Sequence, residues 1–215
     1  MAQIYGPKIP TAGLVLSWDV TDRNSYPGSG TTIYDLSGNG NNGTLYNGVS
    51  FSTSNGGVLV FDGVNDYVAC GTPNLASNDY TVVGAARYSG GTRGRMINAT
   101  SNNWLLGHWS NSVANYYAEG WVTGAGVGGS DTNWRIYTGT GAVGADSYNF
   151  YINGTLNTGP SNAGSAGPNG ISIVGGYTSE WSTGQFSFVY VYNRVLSTVE
   201  IAQIYNVKKS IFGLV

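Results

Sequence analysis

Charge is scarce in this chain. Nine Lys and Arg and 11 Asp and Glu make up only 9% of its 215 residues, against about a quarter in ordinary globular domains. With a formal net charge of −2 there is no basic stripe to track a phosphate backbone, so nucleic acid is not an expected partner. Cysteine is nearly missing. Cys70 stands alone, so no disulfide can close within the chain. It lies in the apolar run Tyr67-Val-Ala-Cys70 and reads as a small buried hydrophobe, because no histidine nearby in sequence could activate the thiol. No run of 18 apolar residues occurs, so no membrane insertion is expected. The opening Met1–Pro10 stretch lacks the apolar segment and cleavage site of a secretory signal. The expectation is folding in a cytosol, with a mature secreted form as the alternative.

What the chain has is aromatic surface and glycine: 16 Tyr, 6 Trp, 6 Phe and 34 Gly, with 41% of residues apolar. That is too much large apolar surface for disorder, and the length suits one large β domain with a sizeable core. The polar surface must be Asn, Ser, Thr, Gly and Tyr. Such a surface suits a protein exposed to a harsh medium or packed into a large assembly.

Short apolar runs separated by Gly and Asn turns predict strands throughout. They fall at Gly13–Asp19, Val58–Phe61, Tyr67–Cys70, Tyr80–Tyr88, Met96–Ile97, Trp104–Leu106, Tyr116–Tyr117, Trp134–Tyr137, Ser147–Ile152, Ile171–Val174 and Gln185–Tyr192. Asp62-Gly-Val-Asn-Asp66 reads as a hairpin loop pairing the second and third of these, and Asn153-Gly154 as a tight hairpin turn. One helix is expected: Ser197-Thr-Val-Glu200 is a capping box, Leu196 and Ile201 form a staple, and the helix should end near Asn206. Residues 1–12 read as an extended arm and 207–215 as a tail around one domain, 13–206. Many strands and one terminal helix argue for an all-β sandwich or barrel. The Gly-rich stretch from Gly120 to Gly144 is either a surface loop or part of a packing interface.

Four motifs, in order, carry a family resemblance. Tyr34-Asp-Leu-Ser-Gly-Asn-Gly-Asn-Asn-Gly-Thr44, Val60-Phe-Asp-Gly-Val-Asn-Asp-Tyr-Val68, Phe150-Tyr-Ile-Asn-Gly154 and Val191-Tyr-Asn-Arg-Val-Leu-Ser-Thr-Val-Glu-Ile201 resemble the conserved-order segments of concanavalin A-like, laminin G-like domains. The stretches Gly13–Leu45 and Tyr205–Leu214 resemble the versions found in tailed-phage virion proteins. The resemblance implies an all-β, two-sheet antiparallel jelly-roll sandwich with one short C-terminal helix, and a place on a virion assembled in the host cytoplasm.

Glucan-cleaving enzymes of this fold carry an E-x-D-x-x-E strand motif, whose period-2 spacing aims the acids into one groove; none is present here. Glu119, Glu180 and Glu200 have no acidic partner at strand spacing, and His108, the sole histidine, reads as an ordinary surface or groove residue. No catalytic residue is expected. Asp62, Asn65 and Asp66 share one loop and offer the hard oxygens that calcium takes, although Asp and Asn are also plain turn formers there. Where those enzymes place a calcium-binding Asp in the last long strand, this chain has Ser187. Sugars are held by rings on their C–H faces with amides nearby. Trp104, Trp109, Tyr117, Trp121 and Trp181 fit that chemistry, with Asn102, Asn103 and Asn115 close in sequence; rings of this size also fill cores. The Asn-x-Thr triplets at Asn42, Asn98 and Asn153 read as coincidental with turn chemistry.

The sequence thus points to a non-catalytic phage structural protein: capsid decoration, fibre or tail-adhesion component. Other virion proteins, further copies of itself and host-surface glycans are its expected partners. A free lectin is the alternative, and a glycoside hydrolase with an unrecognised acid pair the third reading.

Overall fold

A computed structural model describes residues 8–175 and 177–215. The first strands are β1 (Leu14–Asp19), β2 (Thr32–Ile33), β3 (Gly43–Tyr46), β4 (Ser50–Ser52), β5 (Val58–Asp62), β6 (Tyr67–Asn74), β7 (Tyr80–Arg93) and β8 (Ile97–Asn98). They are followed by β9 (Trp104–Trp109), β10 (Ser112–Ala118), β11 (Arg135–Ala142), β12 (Ser147–Ile152), β13 (Thr155–Ser161), β14 (Asn169–Ile173) and β15 (Ser182–Tyr192). One sheet runs β13-β12-β11-β7-β15-β5-β4, with β1 also on β15; the other runs β10-β9-β8-β14-β6-β3-β2. Every strand pairing among the described residues is antiparallel, for example Arg135 opposite Ala86 and Ile171 opposite Cys70. The expected two-sheet sandwich is the observed fold.

The main core lies between the sheets and is built from inward residues such as Trp18, Val68, Tyr80, Trp104, Tyr116 and Phe186. A second apolar cluster lies on the outer face of the first sheet, where Phe188, Tyr190 and Tyr192 meet Leu196, Ile201, Ile204 and Phe212. Helix α1 (Thr198–Lys208) covers it. Its start is as expected: Ser197 Oγ accepts from the Glu200 N–H and the Glu200 carboxylate accepts from the Ser197 N–H. Its end is not. The helix continues to Lys208 and tightens into a 3₁₀ turn over 209–212. The predicted tail is therefore packed, with the Phe212 ring tilted against Trp134 at 4.7 Å between centroids. Burial of that ring against the second cluster extends the helix beyond Asn206. Residues 1–7 of the expected arm lie outside the described residues. Its remainder is tied down, since Tyr192 Oη donates to the Pro10 carbonyl at 2.9 Å.

Two local readings meet different fates. Asn153 and Gly154 both have positive φ, 52° and 75°, and turn β12 into β13 as expected. The 62–66 loop does not make a hairpin. β5 pairs with β4 and β15 in one sheet, while β6 pairs with β3 and β14 in the other. The loop crosses the edge of the sandwich and is held as a corner: Asp66 Oδ2 accepts from the Asp62 N–H and Asp62 Oδ1 from the Val64 N–H. The Gly-rich stretch divides. Its first part is a loop pinned where Asn115 Oδ1 accepts from the Gly126 N–H at 2.9 Å. Its second part is β11, where Gly139 and Gly141 leave room for the Tyr116 and Tyr80 rings of the core.

The helix is locked to the sheet by a buried ion pair. Lys208 Nζ bonds Asp19 Oδ2, which also accepts from Tyr190 Oη at 2.6 Å. Burial pushes the Asp19 carboxyl up, but the Lys208 charge and the hydrogen bonds from Lys208, Thr21 and Tyr190 outweigh it and hold the group below the usual carboxylate range. A depressed folded pKa contributes stability above the unfolded value and loses it as pH falls through the folded one. Asp19→Asn should therefore cost about 3–5 kcal/mol at pH 7, because Lys208 is left charged and unpaired. The deficit should shrink below about pH 4. Urea unfolding of both chains at pH 7 and pH 3 checks this; an equal deficit at both would refute it.

Candidate functional site

Strand parity sorts the five aromatic candidates. On β9, Trp104 and Leu106 join the main core, and His108 is fully buried behind them. Trp104 therefore cannot meet a ligand. Its Nε1 donates to Tyr80 Oη at 3.1 Å and its ring packs edge-on against Tyr80 and Tyr116. A run reading as apolar on both faces hid which face each residue takes. The other four are half-buried: Trp109 and Tyr117 by their place on the outward side of their strands, Trp121 beside them, and Trp181 packed against the margin of the main core. Trp109 and Tyr117 each lie 4.9 Å from Trp121 between centroids, which makes one three-ring patch.

Glu180 organises this patch, and sequence reasoning left it without a partner. Its carboxylate accepts from Trp109 Nε1 at 2.8 Å, Arg95 Nε at 2.5 Å and Thr178 Oγ1 at 2.9 Å. Trp181, the next residue, leads to a second patch with its centroid 6.0 Å from Tyr67, which stacks on Tyr46 at 4.4 Å. Tyr46 is 40% exposed. The missed pair had a readable signal: Val68 and Leu45 point inward, so Tyr67 and Tyr46 on the same strands point out. Two of the three amides chosen as sugar partners serve the fold instead. Asn102 bonds the Gly167 carbonyl and the Asn169 N–H, and Asn115 is buried while pinning its loop.

The proposed calcium residues sit at the sheet-crossing corner. Asp66 is 4% exposed, and its Oδ1 has no hydrogen-bond donor among the described residues. Burial is the largest effect on its carboxyl, and the group is raised above the usual range. Asn65 contributes its carbonyl to the Asn47 amide at 2.8 Å. No cluster of three or more His, Cys, Asp or Glu forms among the described residues. A cation here would rely on Asp66, Asp62 and backbone or amide oxygens.

His108 is not a surface residue. It is buried between Tyr88 and Tyr137, with ring centroids 4.6 and 5.1 Å away and no hydrogen-bond partner for either nitrogen among the described residues. Burial, aided by the Arg135 charge, pushes its pKa down to about 3, so the imidazole stays neutral. Ser187 is buried in β15, and Cys70 is half-buried rather than fully so, 3.2 Å from Thr72 Oγ1.

Removing the Glu180 carboxylate should cost stability as well as order. Arg95 is 5% exposed, so Glu180→Ala leaves a buried guanidinium unpaired, at a cost of about 2–3 kcal/mol. Denaturant midpoints and tryptophan emission check it. The expected outcome is a lower midpoint with altered emission from Trp109; unchanged values for both would show that the carboxylate does not organise the patch.

No protein-family model and no curated protein sequence matches the chain. Solved structures do resemble it. The binding domain of Paraclostridial Mosquitocidal Protein 1 superposes with a TM-score of 0.68 at 16% identity, over 94% of this chain and 55% of that one. Trypanosoma rangeli sialidase does so with 0.67 at 16% identity, over 94% and 34%. Domain 4 of AbnA, a GH43 extracellular arabinanase from Geobacillus stearothermophilus in complex with arabinotriose, gives 0.67 at 15% identity, over 90% and 98%. The chain thus spans about half of the first and a third of the second, and it matches the third almost end to end. At such identities the likeness establishes the β-sandwich fold.

Proposed function

We propose that this chain is a non-catalytic carbohydrate-binding sandwich carried on a tailed-phage particle, with the aromatic face around Glu180 as its ligand surface. The observation that carries the reading is the grouping of Trp109, Tyr117 and Trp121 beside a carboxylate that fixes the Trp109 ring. Half-exposed rings supply flat apolar area for sugar C–H faces, and anchoring by Glu180 lowers the entropy lost on binding. Two structural neighbours, the binding domain of a mosquitocidal protein and an arabinanase domain in complex with arabinotriose, support this choice among uses of the fold.

The virion setting rests on the resemblance of Gly13–Leu45 and Tyr205–Leu214 to phage versions and on a surface poor in charge. In that setting the two chain ends are the surfaces for other virion proteins and for further copies of the chain. The non-catalytic reading is supported by how the acids are used. Glu180, Asp131 and Glu200 are each paired with an arginine, and the sole histidine is locked in the core. Calcium belongs to the same reading as a structural ion at the Asp62–Asp66 corner. The buried, donor-less Asp66 Oδ1 would be its anchor.

Trp121→Ala should weaken binding on a printed array of bacterial-surface and plant glycans at least fivefold, about 1 kcal/mol, with the denaturant midpoint kept. No glycan signal from the unaltered chain, or a signal indifferent to Trp121→Ala, would sink the proposal. Release of reducing sugar would overturn its non-catalytic half. Millimolar CaCl₂ should raise the melting temperature by several degrees over EDTA, and Asp66→Asn should remove the difference; no shift with calcium would rule the ion out.

A further inference from the structure

The outer face of the first sheet, away from the aromatic patches, holds a cavity of about 540 Å³. That is within the range of small-ligand sites. Arg87 of β7, Trp134 and Arg135 at the start of β11, Asn153 in the β12–β13 turn and Phe212 line it. Its wall is firm, since Trp134 is 7% exposed and its ring packs against Phe212. Arg87 lies over the Trp134 ring with its guanidinium carbon 5.4 Å from the centroid. Its Nε donates to Gln185 Oε1 at 2.9 Å and its Nη1 to the Thr132 carbonyl at 3.4 Å. Those contacts use two of five N–H groups. No carboxylate pairs with Arg87 among the described residues.

Its neighbour Arg135 is the opposite case. Both terminal nitrogens reach Asp131 at 2.7 Å, and that pairing, chiefly through its hydrogen bonds, holds the Asp131 carboxyl down at about 2. The pair is compensated, so Arg87 is the cavity's unbalanced charge. Asn153 directs Oδ1 to the Ile136 N–H at 3.0 Å, which leaves its Nδ2 as a donor. The Trp134 N–H has no acceptor among the described residues. The lining therefore holds spare donors, a net positive charge and an aromatic wall. An inorganic ion would fill a small part of such a volume.

We propose that this cavity is a second binding site, for an acidic sugar residue. Arg87 takes the carboxylate in a forked pair and the Asn153 amide takes a ring hydroxyl. The site is separate from the face around Glu180 and does not depend on it. Calorimetric titration with sodium glucuronate, glucose and sodium acetate tests it. Glucuronate should bind at least tenfold more tightly than either control. Arg87→Gln should weaken it at least tenfold, and Asn153→Asp, which keeps the turn and the bond to Ile136, should weaken it several-fold. Arg23→Gln, which removes an exposed arginine over Phe51 outside the cavity, should leave it unchanged. Glucose binding as tightly as glucuronate would overturn the role of charge, and acetate doing so would overturn the sugar. Glucuronate affinity indifferent to both Arg87→Gln and Asn153→Asp in folded protein, or weakened as much by Arg23→Gln, would overturn the location.

Discussion

The burial of β15 on both faces is the constraint from which the architecture follows. Its residues alternate between two apolar environments: Phe186, Val189 and Val191 enter the core between the sheets, while Phe188, Tyr190 and Tyr192 enter the cluster under the helix. A strand of this kind cannot sit at a wet surface and needs a third layer. The C-terminal helix supplies that layer. The outward tyrosines also carry hydroxyls, and these fix what covers them: Tyr190 reaches Asp19 in the ion pair with Lys208, and Tyr192 reaches Pro10 in the arm. The arm, the first strand and the last helix are thus held by one strand's outer face.

How much of this was legible depended on the range of the interaction. The Asn153-Gly154 turn and the Ser197–Glu200 cap are fixed by residues within three positions of each other, so sequence pattern suffices for both. The corner at 62–66 looks like a hairpin for the same local reason. Its chain reversal is local, but the choice of sheet is made by β15 and β14 far along the chain. β11 was read short because its Thr-Gly-Thr-Gly stretch has weak strand propensity, and its place is set by rings from distant strands that fill the space over the glycines.

The site divides in the same way. Trp109, Tyr117, Trp121 and Trp181 were readable as candidates from residue type, but the exclusion of Trp104 needs strand parity, which an all-apolar run conceals. Glu180 was invisible because its partner Arg95 is 85 residues away. Arg87 was invisible for a different reason. An arginine without a carboxylate is recognised only once every acid in the neighbourhood has been placed.

Scarcity of charge gives that placement its meaning. Among the described residues, four ion pairs draw in Arg95, Arg135, Arg194 and Lys208 with Glu180, Asp131, Glu200 and Asp19. Each pair joins segments of the fold: the helix to β1, the 180 loop to residue 95, the approach to β11 to its first residue, and the end of β15 to the helix cap. Buried charges are few among the described residues: Asp19 and Lys208 pair with each other and Arg95 pairs with Glu180, so their desolvation is offset by fixed geometry. The rings, amides and hydroxyls around Glu180 act only at contact distance. A ligand on the face around Glu180 would be held by short-range stacking that salt barely screens, whereas one at Arg87 would feel an unbalanced cation and the ionic strength with it. Two sites on opposite faces would therefore answer to different physics although one rigid strand system supports both.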